Sequence, residues 1–213
     1  MKYEKFRYIY PPRPKNATSP EDIDFFDSTK DFLCQPKIDG SHLVLFLNNE
    51  NCYIYNRHNQ KLTNFQIEEK EIRLLHKDSD GWIVCCGEYC NKNKNDESGT
   101  PFNHKLILFD ILVYNSEYLI GKTFQERINL LDELFGQNNC EKDYLYNITD
   151  NIYRVKTYNT GFKSLYDNWT SKIPLVEGIV MKRSDAKLEM GLSENNNSQG
   201  MIKARRKTRN FKF

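Results

Sequence analysis

The chain has 213 residues, of which 38% are hydrophobic, 28% charged and 13% aromatic, with a formal net charge of +2. That size suits one domain with a real core, and the aromatic supply excludes collagen-like, coiled-coil and wholly disordered chains. No apolar run approaches the roughly 18 residues of a membrane span, and the opening MKYEKFRYIYPPRPK lacks the apolar stretch of a secretory leader, so a soluble, intracellular, cytoplasmic protein without a targeting signal is expected.

Residues 1–30 are polar and proline-rich and read as an irregular lead-in. Phe32 to Leu47 reads as a strand, a tight turn at Asp39-Gly40 and a second strand. A turn at Asn48–Asn51 and a strand at Cys52–Tyr55 extend this into an antiparallel meander. Phe65, Glu69, Ile72 and Leu75 stand near helical spacing and predict a helix. Trp82–Cys86 returns to strand, Asn91–Asn103 is a polar loop with Gly99 and Pro101, and Leu106–Tyr114 is an apolar run of strand length. Phe124, Ile128, Leu131 and Phe135 recur at i, i+4, i+7 and i+11, which predicts a helix over 124–135. Gly136, the first residue of Gly136-Gln137-Asn138-Asn139, supplies its C-terminal cap. Phe162–Trp169 is a short helix, and strands at Ile179–Met181 and Met201–Ile202 flank a polar loop at Ser193–Gln199. Few segments form regular βαβ units, so an α+β fold with largely antiparallel sheets flanked by helices is expected.

Two compositional features invite a functional reading. Cys34, Cys52, Cys85, Cys86, Cys90 and Cys140 form no framework suited to a secreted scaffold. Cys85, Cys86 and Cys90 suggest a zinc knuckle, but adjacent strand residues face opposite ways and no CxxC pair or histidine cluster follows, so reduced, partly buried thiols are favoured. The last eleven residues, KARRKTRNFKF, carry Lys203, Arg205, Arg206, Lys207, Arg209 and Lys212 without an acid. Such a tail is either a solvated end, with Phe211 and Phe213 docked on the core, or a contact for phosphates.

Six short motifs then follow one another: Lys37-Ile38-Asp39-Gly40, Arg57 after a strand, Gly87-Glu88, Phe109-Asp110-Ile111-Leu112, Glu177-Gly178-Ile179-Val180-Met181-Lys182, and Lys203-Ala204-Arg205. Taken singly, each has an ordinary explanation: an Asp-Gly turn, a surface arginine, a strand end, a packed phenylalanine, an edge strand, a basic tail. In this order, over residues 35–205, they resemble the covalent nucleotidyltransferase superfamily of ATP-dependent DNA ligases, RNA ligases and mRNA capping enzymes. The stretch from Phe109 to Phe135 is similar to the corresponding stretch of DNA ligases and capping enzymes.

The resemblance implies an adenylation domain with an ATP cleft. Lys37 would attack the α-phosphate of ATP, form a lysyl-AMP phosphoramidate and release pyrophosphate. Lysine is a nucleophile only when neutral, so desolvation or neighbouring cations must favour the amine. Lys182 and Lys203 would supply positive field and complete the catalytic set; Lys203 and Arg205, two apart on a strand, would share one face. By the same resemblance Glu88 would accept from the ribose hydroxyls, Phe109 would stack on adenine, Arg57 would reach ribose or a phosphate, and Gln35 and Arg205 would join the nucleotide contacts. Glu177, with Glu88, would hold Mg2+.

Within the superfamily, Glu177-Gly178 favours a ligase over a capping enzyme. Eight residues follow Arg205 and 36 precede Lys37, so the expectation is a single adenylation domain over 1–213 without a C-terminal OB-fold, using ATP and not NAD. Ser41-His42 stands where DNA ligases usually carry arginine and is nearer to some RNA ligases, whereas the 124–135 helix is nearer to DNA ligases. Arg205 replaces the usual lysine, and Cys86 precedes Gly87 where aspartate is common. The expected protein is a monomeric minimal ligase acting on nicked duplex DNA, with RNA as the alternative. A capping guanylyltransferase or a non-catalytic nucleotide- or nucleic-acid-binding module stands behind these.

Overall fold

The computed structural model describes residues 1–91, 94–136 and 142–206. Two sheets carry the molecule. The smaller contains β1 (Arg13–Ala17), β11 (Asn197–Arg205), β10 (Val176–Arg183) and β2 (Phe32–Ile38), in that spatial order. The larger runs β4 (Cys52–Asn56), β3 (Ser41–Leu47), β5 (Ile83–Cys90), β6 (Lys105–Tyr114), β9 (Ile152–Val155), β8 (Leu145–Asn147), and the two-residue β7 (Glu117–Tyr118) also pairs with β6. Pairing is antiparallel except for β1 with β11 and β6 with β9. The α+β expectation therefore holds, with two parallel pairs in otherwise antiparallel sheets.

Among the described residues four α-helices flank the sheets: α1 (Ile23–Thr29), α2 (Glu69–Ile72), α3 (Phe124–Phe135) and α4 (Phe162–Lys172). The predicted bounds of α3 are met. Thr123 and Glu126 cap its first turn reciprocally, and Gly136 ends it at φ 65° with its N–H on the Asp132 carbonyl. Its buried residues Phe124, Ile128 and Leu131 join the core of the larger sheet. Ile23 of α1 and Phe162 and Trp169 of α4 form a second core with Ile179 and Met181 of the smaller sheet.

Several expectations are corrected. The proline-rich lead-in holds β1 and α1. β1 escapes a periodicity search because it is an edge strand with three exposed residues, and α1 is only two turns long. The segment around 65–75 is one turn of α-helix followed by a 3-10 turn at Arg73–His76. Ile72 and Leu75 are buried as the spacing implied, but the element is too short to be a regular helix. The Ser193–Gln199 loop ends early, since β11 begins at Asn197. Its polar start is the exposed part of the strand.

The correction that matters most concerns Asp39-Gly40. The strands on either side of this turn do not pair: β2 belongs to the smaller sheet and β3 to the larger, so the chain crosses between sheets here. The Asp39 N–H is held by the Leu175 carbonyl at 2.9 Å. A Cβ on Gly40 would lie 2.9 Å from the Tyr89 carbonyl oxygen of β5, so only glycine lets the turn sit this close to the larger sheet.

Candidate active site

A cleft of about 740 Å3 opens where the two sheets meet, and all nine residues singled out by the sequence line it: Gln35, Lys37, Arg57, Glu88, Phe109, Glu177, Lys182, Lys203 and Arg205. Lys37 is the penultimate residue of β2, two positions before Asp39 of the crossing turn, which brings its amine to the junction. Gly178 of β10 registers with Lys37 on one side and with Arg205 on the other. Its φ is 158°, and a Cβ there would lie 2.0 Å from the Ala204 carbonyl oxygen, so the strands can close only on glycine. This close approach lets Glu177 bridge two cations: one carboxylate oxygen contacts Lys37 Nζ and the other contacts Arg205.

The floor is built by β3, β5 and β6. His42 and Glu88 are direct cross-strand partners, so their side chains share a face. His42 Nε2 and Glu88 Oε2 are both buried with no hydrogen-bond partner. Burial pushes the Glu88 carboxyl up to about 8 against the pull of Lys37, and pushes the His42 imidazole down to about 3, with Arg57 and Lys37 adding to the effect. His42 meets the Phe109 ring edge-on, with centroids 5.3 Å apart. Lys182 Nζ is buried without a hydrogen-bond partner, 5.0 Å from the Phe109 ring centroid and 4.4 Å from that of Phe124. Its amine is lowered to about 8 by burial, opposed by Asp110.

The remaining residues sit further out or serve the frame. Lys203 is lowered by partial burial and then by Lys37 and Arg205. Arg57 is exposed on the turn after β4, and its Nε donates to His58 Nε2 at 3.1 Å. Gln35 is buried and spends its amide nitrogen on the Phe109 carbonyl at 3.3 Å and Thr157 Oγ1 at 3.1 Å, so it holds the strand that presents Phe109. Sequence reasoning missed His42 as a site residue, although its place two residues after Gly40, on the first strand of the floor, was the available signal. It also missed Arg127 of α3, whose guanidinium pairs with the buried Asp110 carboxylate at 2.8 and 3.0 Å.

Among the described residues no three histidines, cysteines or carboxylates gather as a metal cluster. Mg2+ does not require one, since it commonly binds through one or two carboxylates together with substrate phosphates and water. Glu177, between two cations at the cleft wall, and Glu88, with an unmatched oxygen, fit that sparse mode. Cys34, Cys52, Cys85, Cys86 and Cys90 are free thiols, as expected, while Cys140 lies outside the described residues. The tail residues Lys207, Arg209, Phe211, Lys212 and Phe213 also lie outside them. No helix among the described residues is long and apolar enough to cross a membrane.

Chemically, the cleft is an anion receptor with an amine at its centre. Of its charged lining, Asp110 is neutralised by Arg127, and Glu177 is shared between Lys37 and Arg205. Lys15, Lys182 and Lys203 form no ion pair among the described residues, although Asp110 acts on Lys182 and Glu177 on Lys203 from further off.

Known proteins share this sequence pattern and fold. The family profile described as the ATP dependent DNA ligase domain matches residues 15–205. A DNA ligase of Methanococcus maripaludis is 27% identical over 216 aligned positions, which cover 87% of this chain and 36% of that protein. The chain thus spans about a third of that relative's length. The fold is similar to that of a mycobacterial DNA ligase D solved with ATP and MES, with a TM-score of 0.65 and 18% identity over 94% of this chain and 62% of the other. It is also similar to the ATP-dependent DNA ligase of bacteriophage T7 in complex with ATP, with a TM-score of 0.55 and 13% identity over 92% of this chain and 68% of the other.

Proposed function

The chain belongs to the ATP-dependent DNA ligase domain family, and from that premise we propose that Lys37 becomes adenylated by ATP, passes AMP to a 5'-phosphate and so seals a nick, in DNA before RNA. The observation that carries this reading is the convergence on one cleft of the Lys37 amine with three buried polar atoms lacking partners: Glu88 Oε2, His42 Nε2 and Lys182 Nζ. Buried polar groups are almost always satisfied, and a cluster of exceptions in a cleft is best explained by a ligand that satisfies them.

In the first step Lys37 Nζ attacks the α-phosphorus. An N–P bond forms, the P–O bond to the β-phosphate breaks, and pyrophosphate leaves with the electron pair. The amine must shed protons to act, and Glu177, in direct contact with Nζ, is the nearest acceptor. Lys203 and Lys182, neither in an ion pair among the described residues, raise the positive potential around the phosphates, which favours the charge that builds up in transfer. Mg2+, when bound through Glu177 and the phosphates, would neutralise part of that charge.

The floor recognises the nucleoside. Phe109 offers a ring face to adenine. Glu88 and His42, side by side and both unsatisfied, suit a vicinal pair of ribose hydroxyls: the raised carboxyl can donate or accept, and the neutral imidazole can do either through its tautomers. In the second step an oxygen of the 5'-phosphate attacks the lysyl-AMP phosphorus, the N–P bond breaks and the Lys37 amine is restored. In the third the 3'-hydroxyl attacks the adenylated 5'-phosphate, the phosphodiester forms and AMP leaves with the electron pair.

Incubation with ATP radiolabelled at the α-phosphate and Mg2+ tests the first step. An acid-labile labelled protein is expected from wild type. Lys37→Ala and Lys37→Arg should remain unlabelled, the latter because guanidinium stays protonated. A labelled Lys37→Ala protein would sink the assignment, and labelling from GTP in place of ATP would turn it toward capping. Sealing assays on nicked DNA and nicked RNA duplexes decide the polymer.

A further inference from the structure

We propose that the open edge of the smaller sheet, Arg13 and Lys15 of β1, is a phosphate-binding rim for the polynucleotide; the proposal rests on the ligase reading above and adds where the nucleic acid is gripped. Both residues line the cleft, yet the inner cations do not need them. Lys37 and Arg205 are partly buried and tied to Glu177, and Lys182 is enclosed by two rings. Lys15 is exposed, with no carboxylate partner among the described residues. Arg13 is half-buried, and its guanidinium donates to the Glu194 main-chain carbonyl, which carries no net charge to oppose it.

The placement is fixed by the fold. Among the described residues β1 pairs only with β11, in parallel, with Arg13 opposite Asn197 and Ala17 opposite Lys203. The strand therefore runs along the cleft wall towards Lys203, and its outer edge is open. Pro12 and Pro14 remove two amide donors there, which discourages another strand from adding to that edge. An unpaired edge that bears cations and resists strand addition suits a partner held by its phosphates.

The rim continues across the mouth. Glu194 accepts from Arg13 through its carbonyl and from His58 through its carboxylate, and His58 in turn receives the Arg57 Nε–H. Lys15, Arg13, His58 and Arg57 thus form one arc around the opening, with Glu194 its one acidic member. Lys203 and Lys37 lie deeper in the same cleft. A strand laid along this arc would bring a terminal phosphate to the cleft in which Lys37 stands. Arg206, the last described residue of the basic tail, donates instead to the Pro174 carbonyl at 3.2 Å.

The test compares wild type with Arg13→Gln/Lys15→Gln and, separately, Lys15→Glu. Fluorescence anisotropy with a labelled nicked DNA duplex is followed over a series of salt concentrations. For the double variant, the slope of log K against log salt should be shallower by about 0.9 for each phosphate that is no longer neutralised. Lys15→Glu should weaken binding further at low salt. An unchanged slope with folded protein, confirmed by circular dichroism, overturns the proposal. So does a fall in Lys37 adenylation by ATP that matches the fall in duplex binding, since the cations would then serve the nucleotide's phosphates. If wild type is never labelled by ATP, the ligase reading fails while the anisotropy slope still decides the rim. If wild type is labelled and the slope does not move, only the rim falls.

Discussion

Asp110 and Glu88 both line the same cleft, Asp110 buried and Glu88 half-buried with one carboxylate oxygen enclosed, and the protein treats them oppositely. At the seam between β6 and α3, Asp110 receives two guanidinium hydrogen bonds from Arg127 and the Ile111 amide at 2.9 Å. Burial works to raise its carboxyl, and the ion pair overrides burial, leaving it below the ordinary range. On the β3–β5 floor, Glu88 has an unmatched oxygen, and burial wins. A carboxylate that serves the fold is satisfied by the fold, whereas one left unsatisfied at a cleft is available to a ligand. The same division separates Arg127, fully engaged, from Lys182, which has only ring faces for company.

The largest expected effect comes from breaking the satisfied seam. Arg127→Met would leave the Asp110 carboxylate buried and unpaired, and should lower stability by about 3 to 5 kcal/mol in urea unfolding. Removing both charges in Asp110→Leu/Arg127→Met should restore much of that loss, because an isolated buried charge costs more than an apolar pair of similar volume. If the single variant unfolds at the wild-type midpoint, the seam contributes nothing and the contrast with Glu88 fails.

The floor should respond in the other direction. The Glu88 carboxyl is raised in the folded protein to about 8, so the folded state holds this proton more tightly than the unfolded chain. Its contribution to stability is complete below the ordinary carboxyl value and is lost as pH rises through about 8. Glu88→Gln cannot titrate. Wild type should lose stability relative to it as pH rises from 5 to 8, by about 1 to 3 kcal/mol, because the unfolded carboxyl gives up its proton before the folded one does. The same variant should bind ATP more weakly and discriminate less well against its deoxyribose analogue. Parallel pH dependence of the two proteins would show that Glu88 is not strained by burial.

Much of this contrast was legible in the sequence, but not its cause. The periodicity of Phe124, Ile128, Leu131 and Phe135 defined α3, and the apolar run of β6 announced a buried strand. The eight site residues of the short motifs, with Gln35 just ahead of them, all line one cleft. Hydrophobic pattern could not reveal that the strands around Asp39-Gly40 lie in different sheets, because a crossing turn and a hairpin use the same residues. Nor could it reveal β8 and β9, which span three and four residues, or β1, whose side chains are mostly outside the core. Arg127 looked like one more polar residue on an amphipathic helix, since only the tertiary pairing with Asp110 explains a buried guanidinium there. In the sequence His42 stands out only as a departure from the usual arginine. Its orphaned nitrogen beside Glu88 depends on strand register, which one sequence does not display.

The smallest expected effect sharpens the contrast at its mechanical origin. Phe124 and Arg127 both lie in the first turn of α3, so this turn presents a ring to Lys182 and a guanidinium to Asp110. That turn is held by its cap: Thr123 Oγ1 accepts the Glu126 amide at 3.2 Å, and the Glu126 carboxylate accepts the Thr123 amide at 2.7 Å. Thr123→Ala removes the hydroxyl and exposes one helical amide to water, which should cost about 1 kcal/mol. The Thr123 main-chain N–H remains, so the Glu126 half of the cap survives and the helix keeps its register. Urea unfolding should therefore show a modest fall in midpoint, with ATP binding unchanged. A loss as large as that of Arg127→Met would mean that the cap and the ion pair act as one cooperative unit. The double variant Thr123→Ala/Arg127→Met then decides: additive losses keep the two devices separate, and a loss no greater than that of Arg127→Met alone joins them.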